Sequence, residues 1–426
     1  MEINNKIEYL SPEGWRQWQL ELLQSTLNRV YERVPFYRQL MDKQGLRPED
    51  IKSLDDIRKL PFTTREHLAQ NYPYGLFAVP LRDIVRLHTF PGIETPIVKG
   101  FTRRDLQVIR KLTARFLAAS GVTSEDIIQI CLDPGMSIWI EELKEGAEEV
   151  GAVVIPPDPQ STENRLRIMR DFKASVLIST PSYVQYLTHV MSQQGLTPPK
   201  SLRLVILVGE GLETTKRLEL EQVLGVNTRL GYGITEAIGA GMGYECEHRQ
   251  GYHLASDYFY AEIIDPETGT PLSPGESGEL VITTLAVKAN PLIRFRTGDL
   301  TRLEPQPCPC GRTTPRLGPI EGHVDGRVSV RGIKISLRYI ETLLREAYGH
   351  VPEYLLYVRR RDQLEELELW VAINEKLFVP SILGLHQKAA VFERRFEEIF
   401  GLPCRVKFVE RDHLHEVAQG RKVLKD

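Results

Sequence analysis

The spacing of apolar residues divides the chain into regions of different structure. Residues 14–45 carry apolar side chains at helical spacing and contain Pro35, which predicts a helix with a break at the proline. From residue 105 to residue 210, short apolar runs such as SVLIST and LRLVILVGEG alternate with amphipathic stretches such as PSYVQYLTHVMSQQG. Short apolar strands separated by helices predict a parallel sheet that is covered on both faces.

The pattern changes after residue 257. The segment YFYAEIIDPETGTPLSPGESGELVITTL reads as strand, turn and strand, with Asp-Pro and Gly as turn formers, and predicts an antiparallel region. A boundary is predicted within EGHVDGR, at residues 323–326. Beyond it we predict one strand in VSVRGIKI, a helix in LRYIETLLREAYG, two strands, a helix in QKAAVFERRFEEIFG and a strand in RVKFVE. This C-terminal part is therefore expected to be a compact α+β unit.

Composition excludes several classes of protein. Hydrophobic residues make up 42% and charged residues 26% of the 426 residues, which is typical of a globular protein. The net charge of -3 argues against nucleic-acid binding. No apolar run approaches the ~20 residues of a membrane helix, and the N-terminus MEINNKIEYLSPEG lacks the pattern of a secretory signal. We expect a cytoplasmic protein without nucleic-acid or membrane partners.

Three cysteines and one histidine form a set of residue types that is typical of zinc sites. Cys246 and His253 lie in CEHRQGYH, whereas Cys308 and Cys310 lie in CPCGR. Three sulfurs and one imidazole suit a tetrahedral Zn²⁺ without a vacant position for chemistry, so the predicted zinc is structural. His248 is an alternative ligand, and the alternative to a metal site is a set of buried free thiols with a surface histidine.

Four segments, in order along the chain, carry a resemblance to a known family. They are VPFYRQLMDKQGLRPEDIKSLDDIRKLPFTTREHLAQNYPYGLFAVP, DFKASVLISTPSYVQYL, GYGITEA and GELVITTLAVKANPLIRFRTGDL. Together they resemble the phenylacetate–coenzyme A ligase family of adenylate-forming enzymes, and the likeness covers nearly the whole chain. The family also carries a similar Cys…His…Cys-x-Cys set.

The resemblance implies an α/β fold in two parts. A large N-terminal domain (residues 1–322), with doubly wound sheets and a β-barrel-like antiparallel region, would be joined to a small mobile α+β C-terminal domain (residues 326–426). Family members join a carboxylate to AMP and then transfer the acyl group to coenzyme A. The expected ligands are therefore ATP or AMP with Mg²⁺, coenzyme A, and a small carboxylic acid or its acyl derivative. The family is often dimeric, so a homodimer is also expected.

The resemblance also assigns roles to residues of two motifs. In GYGITEA, which includes Gly233 and Thr235, Glu236 would hold Mg²⁺ as a hard oxygen ligand, and Tyr232 would stack on adenine. In RFRTGDL, Asp299 would accept hydrogen bonds from the ribose hydroxyls, because an ionised carboxylate only accepts. The respective alternatives are a carboxylate that caps a helix, a core tyrosine with a bonded hydroxyl, and a surface turn aspartate.

Other candidates depart from the family pattern. Glu210, in LVGEGL, follows a strand, where a doubly wound sheet places its ligands. In GHVDGR, His323 stands at the position of a nucleotide-contacting arginine, and Asp325 keeps the family's hinge aspartate. In AQGRKVLKD, the residue at the position of the adenylating lysine is Arg421 or Lys422, depending on a gap in the alignment. Arginine does not reproduce the compact point charge of lysine.

The loop expected to bind phosphate has changed chemistry. HTFPGIETP stands where the family reads roughly Ser-Ser-Gly-Thr-Thr-Gly-x-Pro. Such loops bind phosphate through backbone N–H groups, hydroxyls and often a lysine. In order, Phe90 and Pro91 replace two serines, Gly92 remains, Ile93 and Glu94 replace two threonines, Thr95 replaces the second glycine, and one residue is deleted before Pro96.

These changes predict weak binding of ATP. Pro91 removes a backbone donor, and Glu94 would repel a polyanion. We expect ATP to bind more weakly relative to AMP than in a typical family member. The alternative is that basic residues nearby in the sequence supply substitute donors: Arg86, Lys99, Arg103 or Arg104.

Three functions follow from the sequence. The first is a divergent ligase that handles a carboxylic acid as an acyl-adenylate, a coenzyme A thioester or both. The second is a family member that has lost ATP-dependent adenylation and binds a nucleotide or acyl-CoA, or performs another acyl transfer. The third is a non-catalytic partner subunit. Pyrophosphate exchange across a panel of carboxylic acids would separate them.

Overall fold

The computed structural model describes residues 6–92, 96–157, 161–324, 327–361, 364–373 and 382–425. No helix within these ranges has both the length and the apolar character that crossing a membrane requires. The helices are α1 (Pro12–Arg33), α2 (Pro35–Lys43), α3 (Arg65–Gln70), α4 (Arg103–Ala119), α5 (Ser137–Val150), α6 (Thr162–Asp171), α7 (Pro181–Gln193), α8 (Thr214–Leu224), α9 (Leu337–Tyr348), α10 (Ile382–Phe400) and α11 (Arg411–Ala418).

The strands are short and fall into separate sheets. They are β1 (Ile84–Phe90), β2 (Ile97–Thr102), β3 (Ile127–Cys131), β4 (Val153–Ile155), β5 (Val176–Ser179), β6 (Leu204–Val208), β7 (Asn227–Ile234), β8 (Ile238–Tyr244), β9 (Tyr252–Leu254), β10 (Phe259–Ile264), β11 (Gly278–Thr284), β12 (Phe295–Thr301), β13 (Arg316–Leu317), β14 (Gly322–His323), β15 (Val328–Val330), β16 (Ile333–Ile335), β17 (Tyr354–Arg361), β18 (Leu364–Ala372), β19 (Cys404–Val409) and β20 (Val423–Lys425). The break predicted at Pro35 separates α1 from α2.

The central sheet has eight strands in the order β13-β9-β8-β7-β6-β5-β3-β4. Strands β4, β3, β5, β6 and β7 are parallel, whereas β8, β9 and β13 continue the sheet antiparallel. Because side chains alternate along a strand, Val176 and Ile178 of β5 enter one core and Leu177 enters another. Helices α6, α7 and α8 pack in the core that contains Leu177, whereas α5 and the end of α4 pack in the core that contains Val176 and Ile178. The predicted sheet, covered on both faces, is confirmed.

The antiparallel region predicted after residue 257 is also confirmed. Strands β10, β11, β12 and β14 form a four-stranded antiparallel sheet in that order. Strands β1 and β2 form a separate antiparallel pair. The segment between these two strands contains Pro91 and Gly92, and the loop residues Ile93, Glu94 and Thr95 lie outside the described residues.

The C-terminal part is the expected α+β domain. Its sheet has the order β19-β18-β17-β20, with β17 and β18 antiparallel and the two outer strands parallel to their neighbours. Phe392 and Phe396 of α10 pack with Leu343 of α9 against Leu356 and Leu369 of the sheet. Amphipathic helices on one apolar sheet face explain why this pattern could be read from the sequence.

One predicted strand is wrong. VSVRGIKI forms two short antiparallel strands, β15 and β16, and not one strand. The turn between them consists of Arg331 and Gly332, which have φ angles of 51° and 83°. Positive φ at both central residues is the geometry of a tight two-residue hairpin turn, which reverses the chain here.

The two domains meet at an apolar contact that lacks room for extra side chains. Met136 and Val208 of the large domain share a core with Val330 and Ile333 of the small domain. A Cβ at Gly135 would lie 2.5 Å from the Phe400 carbonyl oxygen and 2.5 Å from Ile333 Cδ1. Glycine at this position therefore permits the close approach of the domains. The hinge candidate Asp325 lies outside the described residues.

Candidate active site

Two adjoining cavities lie at the junction of the domains. Their volumes are about 730 Å³ and 270 Å³, and they share the lining residues Trp139, Gly209, Gly233 and Lys334. The larger cavity is also lined by four residues predicted from sequence: Glu210, Tyr232, Asp299 and His323. The smaller one is lined by the predicted residues Phe90, Pro91, Gly92, Thr235 and Glu236. The fold therefore gathers candidates from five segments around two adjoining cavities.

Asp299, on β12, is fully buried and surrounded by donors. The Tyr232 hydroxyl donates to Oδ2 over 2.6 Å, and Lys334 Nζ donates to Oδ1 over 2.8 Å. His323 Nδ1 lies 2.7 Å from the same Oδ1. Burial alone would raise the pKa of this carboxyl, but Lys334, His323 and Arg327 hold the pKa well below its usual range. Asp299 is therefore ionised, and a ribose that binds there has to compete with existing partners.

Glu236 occupies the turn between β7 and β8 and is paired with an arginine. Arg65 Nε donates to Oε1 over 2.6 Å, and Arg65 Nη2 lies 2.6 Å from the same oxygen. Burial would raise the pKa of Glu236, but Arg65, Arg327 and Lys334 keep the pKa below its usual value. The guanidinium thus occupies the carboxylate oxygen where a divalent cation was expected. Arg65 also donates to the Thr297 carbonyl over 2.8 Å, which fixes it against β12.

The turn that carries Glu236 is held from behind by a buried lysine. Lys99 Nζ donates to the carbonyl of Ala237 and, over 3.3 Å, to the carbonyl of Thr235. Arg86, another substitute donor considered for the phosphate loop, lies 3.0 Å from Glu141 and donates to a second carboxylate of α5. Both cations are therefore engaged by the protein, and neither lines the two cavities.

Glu210 follows β6 and faces the small domain. Its carboxylate accepts hydrogen bonds from the backbone N–H and the hydroxyl of Ser182, over 2.9 Å and 2.8 Å. Burial, followed by the charge of Glu365 on β18, raises the pKa of Glu210 to about 7. Glu365 is paired with Lys425 over 2.7 Å. Two carboxylates thus influence each other across the domain junction.

The predicted adenylating residues do not reach the cavities in this arrangement. Lys422 Nζ donates to Glu341 over 2.6 Å and lies 5.4 Å from the centre of the Tyr354 ring. Neither Arg421 nor Lys422 lines the described cavities, although Lys425 does. For either residue to act on a ligand there, the small domain would have to be placed differently.

Three cations of the site were missed by sequence reasoning: Arg65, Arg327 and Lys334. Arg327 donates to the Thr297 carbonyl over 2.6 Å and lies 3.7 Å from Asp299. Arg65 begins α3, which belongs to the N-terminal segment of the family resemblance but has no motif of its own. Lys334 could have been noticed from alternation, because Ile333 and Ile335 are buried on one face and leave Lys334 on the other.

The four predicted metal ligands are brought together. The ligand atoms of Cys246, His253, Cys308 and Cys310 all lie within 4.8 Å of one another. Cys246 Sγ lies 3.6 Å from Cys308 Sγ, and Cys310 Sγ lies 3.3 Å from His253 Nε2. Thr314 Oγ1 lies 3.0 Å from His253 Nδ1, so the other ring nitrogen faces the sulfurs. Three sulfurs and one imidazole are the donor set of closed zinc sites, and the Thr314 hydroxyl at Nδ1 orients the imidazole as zinc-bound histidines require.

The chain matches two family models and a set of curated relatives. The model of the AMP-binding enzymes covers residues 147–287, and that of the AMP-binding enzyme C-terminal domain covers residues 332–426. The phenylacetate-coenzyme A ligase of Thermus thermophilus is 39% identical over 88% of this chain and 84% of its own. That of Aromatoleum evansii is 35% identical over 97% of this chain and 94% of its own.

Solved structures share the fold. A 2-hydroxyisobutyryl-CoA ligase in complex with 2-HIB-AMP and CoA, in the thioesterification state, matches with a TM-score of 0.88 at 24% identity, over 98% of this chain and 91% of that one. The same enzyme in the postadenylation state, in complex with R3-HIB-AMP, gives a TM-score of 0.71 at 23% identity over the same shares.

Proposed function

Because the chain belongs to the phenylacetate–coenzyme A ligase family of AMP-binding enzymes, we propose that it converts a small carboxylic acid into an acyl-adenylate and transfers the acyl group to coenzyme A. The observation that carries this proposal is the site at the domain junction. A nucleotide-sized cavity lined by Tyr232 and Asp299 adjoins there a smaller cavity whose lining includes the apolar residues Phe90, Ile138 and Ile234. An acyl-adenylate consists of a nucleotide and an acyl group, and the larger and the smaller cavity could each hold one of them.

The two cavities suggest how the acyl-adenylate lies. In the larger cavity, Asp299 would receive the ribose hydroxyls, and Tyr232 and Glu210 would lie beside the base. In the smaller cavity, Phe90, Ile138 and Ile234 would contact the acyl group, since their side chains line it. The acyl–phosphate bond would then lie where the cavities join.

The charge at this junction supports a phosphate ligand. Among the described residues there, the cations of Arg65, Arg327 and Lys334 face the carboxylates of Glu236 and Asp299. An excess of positive charge in a largely desolvated site favours an anion. Glu236 would bind Mg²⁺ together with ATP only through an oxygen that Arg65 does not occupy.

We propose that this arrangement of the domains is the one that forms the thioester. The higher TM-score against a thioesterification state than against a postadenylation state of one enzyme supports this. Adenylation would use a second arrangement, reached by rotation of residues 326–426 about the hinge at 323–326 with Asp325. That rotation would bring Arg421 or Lys422 to the site, and His323 would accompany the hinge.

A second candidate function is acyl transfer that does not use ATP. The enzyme would accept an acyl-adenylate or perform another acyl transfer without using ATP. The replaced hydroxyls at Phe90 and Pro91, together with the pairing of Glu236 with Arg65, favour this candidate.

The deciding experiment measures the two half-reactions separately. ATP-dependent pyrophosphate exchange is followed with phenylacetate and a panel of other carboxylic acids, and thioester formation is followed from synthetic acyl-adenylates with coenzyme A. Exchange and thioester formation together support the ligase. Thioester formation without exchange supports the second candidate, and the absence of both contradicts the proposal. Light scattering on the same sample tests the predicted homodimer.

We also propose that Cys246, His253, Cys308 and Cys310 hold one structural Zn²⁺. The ion would join the segment that follows β8 to the segment that follows β12. Strands β7 and β8 flank the turn with Glu236, and β12 carries Asp299. Zinc would therefore brace both sides of the nucleotide cavity without taking part in chemistry.

A further inference from the structure

Lys334 reaches from the small domain into the junction of the two cavities. It lies on β16, opposite Ser329 in the hairpin, and its Nζ is 2.8 Å from Asp299 Oδ1 of the large domain. Its side chain lines both cavities and is 26% exposed. A cation is thus placed where the proposed acyl–phosphate bond would lie.

The position of Lys334 depends on how the domains are packed. The hairpin turn at Gly332 lies so close to the large domain that a Cβ there would be 2.7 Å from Met136 Sδ and 3.1 Å from Thr180 Cγ2. A Cβ at Gly209 would in turn lie 3.3 Å from Gly332 Cα. Because β16 begins directly after this turn, the contact fixes where Lys334 enters the site. A different placement of the small domain would remove the ammonium group.

The partner of Lys334 should change when a nucleotide binds. Asp299 already accepts a hydrogen bond from the Tyr232 hydroxyl, and its Oδ1 lies 2.7 Å from His323 Nδ1. Ribose hydroxyls need acceptor positions on the same carboxylate, so they compete with the ammonium group. The phosphate attached to that ribose is an anion at the junction, and it offers Lys334 a new partner.

We propose that Lys334 is a catalytic residue of thioester formation, which binds the phosphate of the acyl-adenylate and stabilises AMP as it leaves. This rests on the proposed function. In this step, the coenzyme A thiol loses its proton to water, and its sulfur forms a bond to the acyl carbon. The bond from that carbon to the phosphate oxygen breaks, and its electron pair leaves with AMP. The charge that grows on this oxygen is greater in the transition state than before it, so a fixed cation accelerates the step.

Binding of AMP and adenosine tests the phosphate contact without any acyl substrate. Calorimetric titration compares the wild type with Lys334→Met, Lys334→Arg and the control Lys407→Met. Lys407 is an exposed lysine of the small domain whose Nζ is 2.8 Å from Glu368, and it lines neither cavity. Loss of a charged hydrogen bond should weaken AMP binding to Lys334→Met by about 10- to 100-fold. Adenosine should bind Lys334→Met at least as well as it binds the wild type, because Asp299 loses a competing partner.

A rate measurement extends the test to the reaction. In single turnovers of phenylacetyl-adenylate with coenzyme A, thioester formation should fall further in Lys334→Met than pyrophosphate exchange does. Lys334→Arg should recover part of the rate, and Lys407→Met should behave as the wild type.

The possible outcomes separate this proposal from the proposed function. Equal AMP affinity in the wild type and Lys334→Met overturns the role of Lys334. A loss of adenosine binding as large as the loss of AMP binding also overturns it, because that result indicates a structural role. A wild type that binds neither ligand contradicts the proposed function itself.

Discussion

Replacement of Gly135 by alanine should inhibit thioester formation selectively. Gly135 lies in a short 3₁₀ turn of the large domain, Pro134–Met136, directly before α5. It is not among the glycines with positive φ, so the local backbone accepts alanine. The added methyl group would point at the small domain, and any effect should therefore report on the contact between the domains.

The size of the effect follows from the distances. The new Cβ would lie 2.5 Å from Ile333 Cδ1 and 2.5 Å from the carbonyl oxygen of Phe400. The isoleucine can rotate, but the carbonyl belongs to the end of α10 and moves only with the small domain. Overpacking of this kind costs about 1–3 kcal/mol. If the cost applies to this arrangement alone, its population falls by about 5- to 150-fold relative to others.

The assay compares the two half-reactions in one variant. Thioester formation from phenylacetyl-adenylate should fall within that range in Gly135→Ala, whereas pyrophosphate exchange should change much less. Gly14→Ala is the control, because its Cβ would meet Ser11 Oγ at 3.4 Å and Leu10 Cβ at 3.6 Å, which are ordinary contacts. Equal losses in both half-reactions, or an unchanged rate of thioester formation, would refute the assignment of this arrangement to thioester formation.

Four further predictions follow from the site. Metal analysis should find one zinc per chain in the wild type and far less in Cys308→Ser, and a wild type with well under one zinc would contradict the site. In chemical denaturation, Arg65→Met should lower the free energy of unfolding by about 3 kcal/mol, because it leaves Glu236 buried without its arginine. The control Arg47→Met breaks an exposed pair with Asp42 and should lower the free energy of unfolding by under about 1 kcal/mol. Folding raises the pKa of Glu210 from 4.5 to about 7, so the folded state binds the proton more tightly than the unfolded state does. The free energy of unfolding of the wild type relative to Glu210→Gln should therefore fall as the pH rises through this interval. A difference that does not change with pH would contradict this, and Glu219→Gln on α8 is the control. Calorimetry should find weak binding of ATP with Mg²⁺, and weaker binding relative to AMP than in a typical family member. Micromolar ATP binding with robust exchange would show that the altered loop is compensated.

Much of the fold could be predicted because it depends on local periodicity. The buried strands β5 and β6 are continuous apolar runs, and α7 has apolar residues at helical spacing. A few residues of each segment are therefore enough to predict a strand or a helix. The four candidate metal ligands could also be named, because sulfur and imidazole have few roles in such a pattern. Their two halves are far apart in sequence, and only the fold brings them together.

The remaining features depend on contacts that leave no periodic signal. Arg65 and Glu236 are 171 positions apart, and no local pattern at Arg65 marks it as the partner of a buried carboxylate. The reversal at Arg331 and Gly332 was missed because arginine seldom adopts a positive φ, so VSVRGIKI was predicted as one strand. Arg421 and Lys422 are candidates only by their position in a motif, which carries no information about where the small domain places them.

The altered phosphate loop and the cations at the junction have a common consequence. Where the two cavities adjoin, Arg65, Arg327 and Lys334 supply positive charge, whereas the described loop residues Phe90, Pro91 and Gly92 supply none. Arg327 follows the predicted hinge and Lys334 belongs to the small domain, so two of the three positions depend on how that domain is placed. A phosphate held by these residues would be held most firmly in the present arrangement. The charge needed to release AMP would then arrive together with domain closure, which couples the chemistry of thioester formation to the motion that precedes it.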